Sequence, residues 1–90
     1  MIDFLQEMAL KWPSHEDSVK NQISTMIDTG SEQMLSADYY LGYVKGLLVM
    51  TEKLKGMYSA MDEDVRAIYF SMMSYCAFRY MEAAARETSA

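Results

Sequence analysis

At 90 residues the chain has room for one domain, residues 1–90, and a domain of this size buries only about 60–65% of its unfolded surface, so it gains much from a partner. With 51% hydrophobic and 23% charged residues it is too apolar for disorder, while one proline and four glycines leave little material for the turns of an all-β fold. A formal net charge of −5 with no run of basic residues argues against direct nucleic-acid binding, because neutralising phosphate needs clustered Lys and Arg.

The first helix is expected over residues 2–12. Ile2, Leu5, Met8, Ala9 and Trp12 share one face, and Asp3 near the start and Lys11 near the end agree with the helix dipole. Pro13 stops it, since a residue before proline is pushed out of the α region. Ser14 is then expected to cap a second helix, residues 15–29, with Asp17 in its first turn. The stripe of that helix is narrow, carried by Val19, Ile23, Met26 and Ile27, and Gly30 is a natural residue for its end. Residues 31–36 connect, with a helical turn at Glu32–Leu35, and Ser36 caps the next helix.

That third helix, residues 37–58, organises the chain. Tyr40, Tyr43, Val44, Leu47, Met50, Leu54, Met57 and Tyr58 recur in steps of three and four, which places them on one broad face. A different face carries Gly42, Gly46, Val49, Lys53 and Gly56. Three glycines inside a helix cost about 2–3 kcal/mol relative to alanine, so the close approach of another backbone, in this chain or in a copy, is expected to offset them.

Ser59 and Asp62 repeat the capping pattern, Asp62-Glu63-Asp64 crowds three acids into a first turn, and the last helix runs over residues 61–86 with a fraying tail at Thr88-Ser89-Ala90. From Ala67 to Met81 only Ser71, Ser74 and Arg79 interrupt apolar residues. The run is too short to span a membrane and contains Arg79, so it reads as a helix buried on more than one side. Phe70, Met73, Ala77, Tyr80 and Met81 lie on the side that one neighbouring helix leaves open, and are expected, with Gly42, Gly46, Val49 and Gly56, to form a protein interface.

Chemistry is sparse. His15 is the only histidine, and zinc needs three or four convergent ligands, so it reads as a solvated side chain at the start of the second helix. Cys76 lies among apolar residues and reads as a small core residue with an inert thiol. Asp62-Glu63-Asp64 lacks the glycine turn and distal Glu of a calcium loop. The seven tyrosines suit core and interface better than base stacking, given the acidic balance. The reading is therefore non-enzymatic, with no cofactor and no metal. A single cysteine suits a reducing compartment, and Met1-Ile2-Asp3-Phe4 offers no cationic region ahead of an apolar one, so no signal peptide and a cytoplasmic location are expected.

The segment from Asp38 to Leu48, with Gly42-x-x-x-Gly46-Leu47 inside it, resembles short helical-hairpin accessory and virion proteins of tailed bacteriophages, and the resemblance extends over residues 38–86. It implies a small protein of the phage particle or of the host cytoplasm that works by protein contacts, and it carries over no catalytic residue.

The expected architecture is all-α: two short N-terminal helices packed on a long antiparallel helical hairpin. The expected function is that of an oligomeric structural or assembly protein whose partner is protein, often another copy, with neither nucleic acid nor membrane as a ligand. The rival reading is a small acidic inhibitor that covers a basic surface of a host enzyme or defence complex.

Overall fold

The structure is a computed structural model that describes residues 1–29, 35–53, 56 and 62–89. Among these residues every regular element is helical. The helices are α1 (Ile2–Lys11), α2 (Asp17–Asp28), α3 (Ala37–Lys53) and α4 (Glu63–Ser89), with a 3-10 turn at Trp12–Ser14 between the first two. No described helix is long and apolar enough to cross a membrane. The molecule measures 44 × 28 × 22 Å, and its long dimension is that of α4, whose 27 residues extend about 40 Å.

α1 forms where the spacing of Leu5 and Met8 predicts, and both are buried, but Ile2 of the same stripe is exposed. The end of α1 departs from expectation. Trp12 keeps helical angles (φ −63°, ψ −46°) ahead of Pro13, and its N–H donates to the Ala9 carbonyl. The buried indole, 4.8 Å from the Tyr75 ring, holds the residue where proline sterics disfavour it, and the chain tightens into the 3-10 turn. Ser14 is spent on that turn, donating its hydroxyl to the Lys11 carbonyl at 2.8 Å. The cap position of α2 therefore falls to Glu16, in extended conformation, two residues later than expected. At the other end of α2 the left-handed residue is Thr29 (φ 53°, ψ 34°), one position before the expected Gly30, which lies outside the described residues together with the turn at 32–34.

Ser36 caps α3, its Oγ accepting the Tyr39 N–H at 3.3 Å. A second, tertiary cap comes from the far end of the chain: the Ala37 N–H donates to Glu87 Oε2 at 2.9 Å. The expected end of the third helix, residues 54–58, and Ser59 fall outside the described residues, except that Gly56 is helical and exposed. Asp62 itself caps α4, its carboxylate accepting the Asp64 N–H at 3.2 Å. Thr88 and Ser89 are helical, their hydroxyls donating back to the Ala84 and Ala85 carbonyls, and α4 ends three residues past its expected end.

The core sits around the middle of α4. Ser71, Met73, Ser74, Tyr75, Cys76 and Ala77 are buried almost consecutively, so every side of the helix is covered there. The cover comes from this chain alone, because α1, the 3-10 turn, α2 and α3 all pack on α4. Leu5, Met8, Trp12, Ile23, Ile27, Tyr40, Val44 and Leu47 complete the cluster. Contacts between α3 and α4 pair the start of one with the end of the other: Ala37 meets Glu87, Tyr40 meets Tyr75, and Tyr43, Leu47 and Met50 meet Tyr69 and Met72.

Candidate functional site

The nine residues expected at an interface do not form one surface. Gly42, Gly46, Val49 and Gly56 are all exposed. A Cβ built on Gly42, Gly46 or Gly56 meets nothing within 4 Å, so among the described residues no backbone approaches the glycine face. Met73 and Ala77, by contrast, are enclosed in the chain's own core at 8% and 0% exposure. Tyr80 and Met81 are half-buried, and Phe70 stands at the surface with its ring stacked on His15.

Two apolar grooves flank α4. One lies against α1 and is walled by Gln6, Ala9, Leu10, Pro13, Phe78 and Met81. Leu10 on its rim is 81% exposed. The other lies against α3 and is walled by Tyr43, Gly46, Leu47, Met50, Tyr69 and Met72. Around this second groove Val49, Met50, Val65 and Ile68 remain exposed, so the fold leaves an apolar end where the last turns of α3 meet the first turns of α4. Helical spacing explains the set: positions 65, 68, 69 and 72 line one side of α4, and 43, 46 and 50 one side of α3.

A polar cluster that sequence reasoning missed lies at the end of α2. Asp28 Oδ1 accepts the Tyr40 hydroxyl at 2.8 Å, and its Oδ2 accepts the Tyr75 hydroxyl. Arg79 stands 4.0 Å from the same carboxylate, pairs with Glu82 at 3.1 Å, and lies over the Tyr40 and Tyr75 rings at 6.0 and 5.8 Å. Tyr39 adds a bond to the Ile27 carbonyl at 2.5 Å, satisfying an acceptor that the end of α2 leaves open. Burial, and then the bond to Asp28, push the Tyr75 phenol well above its ordinary 10.0 and raise the Tyr40 phenol as well. Both tyrosines therefore stay protonated and donate, which is what a half-buried carboxylate beside one arginine needs. Two signals for this cluster were present in the chain. Asp28 sits at a helix C-terminus, where an acid is locally unfavourable, and Arg79 is the lone charge between Arg66 and Glu82; each charge requires a distant partner.

His15 is not a solvated side chain at a helix start. It follows the 3-10 turn, half-buried, with its ring 5.1 Å from Trp12 and 6.1 Å from Phe70. Its Nδ1 lies 2.9 Å from the Lys11 carbonyl and 3.2 Å from that of Trp12. Carbonyl oxygens only accept, so Nδ1 carries the hydrogen and the ring closes the end of α1. Cys76 is fully buried, and burial followed by the field of Asp28 pushes its thiol up to about 12. A protonated, enclosed thiol is a poor nucleophile. Among the described residues no group of three His, Cys, Asp or Glu stands where it could hold a metal ion. Comparison with protein-family models, with curated proteins and with solved structures finds no match for this chain.

Proposed function

We propose that the chain is a non-enzymatic structural or assembly protein that works through helix–helix contacts with protein, and above all with copies of itself. In this reading α1 and α2 pack on an antiparallel hairpin made by α3 and α4, and the hairpin presents the contact surface. The observation that carries it is the apolar end around the α3–α4 groove: Val49, Met50, Val65 and Ile68 stay exposed although the core beside them is closed. A chain of this size gains stability by covering such a surface. The likeness of residues 38–86 to helical-hairpin proteins of tailed phages supports a place in a phage particle or in its assembly within the host cytoplasm.

The motive is narrower than the sequence alone suggests. The middle of α4 needs no second copy, because the chain's own helices enclose it. What calls for a partner is the outer end, not the buried run. Light scattering across the micromolar range tests the reading: a defined oligomer is the expected result. A single-chain mass at every concentration overturns the self-assembly claim.

A further inference from the structure

The sequence of α2 does little to hold a helix. Asp17–Asp28 contains no Ala, Leu, Glu or Arg, and more than half of it is Ser, Thr, Asn, Val and Ile, which favour other conformations. No side chain caps its start at Glu16, and at its end Asp28, with no base in the last turn, opposes the helix dipole. Thr29 closes it in a left-handed conformation that a branched side chain disfavours. Twelve residues of this kind do not persist as a helix alone, so tertiary contacts hold it. Those contacts are few and gathered at one end. Of its side chains only Ile23 and Ile27 are buried, and α2 meets α4 far less extensively than α1 or α3 does. The Tyr39 hydroxyl reaches the Ile27 carbonyl, the Tyr40 and Tyr75 hydroxyls reach the Asp28 carboxylate, and Arg79 stands beside it. At the other end the exposed Lys20 reaches the Pro13 carbonyl, and the chain enters α2 through His15 and Glu16, both extended.

We infer that α2 is a strap that opens as a unit while α1, α3 and α4 stay packed, with the Asp28 carboxylate as its latch and the extended His15–Glu16 step as its hinge. The released state keeps the apolar seams that Leu5, Met8 and Trp12 of the first two elements and Val44 and Leu47 of α3 make with α4. What it gives up is the burial of Ile23 and Ile27 and the ties to Asp28. The groups it bares, two phenols and the Arg79 guanidinium, are polar and can be solvated, so unlatching strands no buried donor. An element with few buried apolar contacts and most of its ties at one end belongs to the low-stability end of a fold, where local opening precedes global unfolding. The strap operates within a single chain and does not depend on self-assembly.

Hydrogen exchange read by mass spectrometry on the full chain, in buffer and in urea below the unfolding transition, tests it. Corrected for intrinsic rates, amides of α2 are expected to exchange at least about a hundredfold faster than those in the middle of α4, at a rate that low urea hardly changes, because opening uncovers little surface. Asp28→Ala is expected to raise α2 exchange at least about tenfold, since the latch is lost. Leu5→Ala, which loosens α1 on α4, is expected to speed the middle of α4 at least about tenfold and to leave α2 within about threefold of the wild type. If Leu5→Ala does not fold, the urea series on the wild-type chain decides. Exchange of α2 and α4 at one rate with one urea dependence overturns the strap, and α2 exchange unmoved by Asp28→Ala overturns the latch.

Discussion

Thr29 adopts a left-handed backbone (φ 53°) that its branched side chain disfavours, and it is the one non-glycine residue with positive φ among those described. Such a conformation costs about 1–2 kcal/mol, and the step it makes ends α2 directly after Asp28, whose carboxylate must turn toward Tyr40 and Tyr75. Thr29→Asn is expected to raise stability by about 1 kcal/mol in urea unfolding, since asparagine tolerates this region. Sequence reasoning placed the left-handed step on Gly30, where glycine needs no strain, because nothing local marks a threonine for it. Cys76 shows the converse, a residue whose role is legible from its apolar neighbours. Its thiol keeps its proton up to about 12 when folded, against an ordinary 9.0. Above pH 9 the unfolded chain therefore binds fewer protons than the folded one, so stability present below pH 9 is lost as pH rises toward 12. Within that window the thiol alone removes about 1.4 kcal/mol per pH unit. Urea midpoints at pH 8 and 10 are expected to fall, and Cys76→Ala to flatten part of the fall.

At the scale of elements, the chain's charges act as ties between helices rather than as surface decoration. Asp28 at the end of α2 holds a phenol from α3, a phenol from α4 and the guanidinium of Arg79, and Glu87 near the end of α4 caps the start of α3. Removing Asp28 leaves two tyrosine hydroxyls and an arginine without their shared acceptor. Asp28→Ala is expected to cost about 2–4 kcal/mol in urea unfolding, and Tyr75→Phe, which takes away one donor only, about 1 kcal/mol. A result for Asp28→Ala below that for Tyr75→Phe would show the cluster to be loosely held. The helices themselves were legible because periodicity and capping act over three or four residues, as at Ser36. The join between α1 and α2 was not, because Trp12 stays helical ahead of proline only through its packing on Tyr75, 63 positions away in the chain.

At the scale of the whole molecule, one long helix is wrapped by three others, and the remaining apolar surface is pushed to the outside at the two grooves. If the groove against α3 joins copies, folding and association are coupled. Scanning unfolding at increasing protein concentration is then expected to raise Tm by about 3 °C per tenfold step, and a Tm independent of concentration would exclude the coupling. By itself the sequence determined the helical class, the apolar run of α4 that is buried on more than one side, and the burial of Cys76. Apolar periodicity and composition are properties of neighbours in the chain, and they survive any arrangement of the helices. Only the tertiary structure decided that Met73 and Ala77 are core while Val65 and Ile68 are surface, that Asp28 and Arg79 meet, and that the glycine face of α3 looks onto open space. Each of these depends on which helix lies across from a given residue, and that choice is made by contacts between residues far apart in sequence, whose joint packing no local pattern encodes.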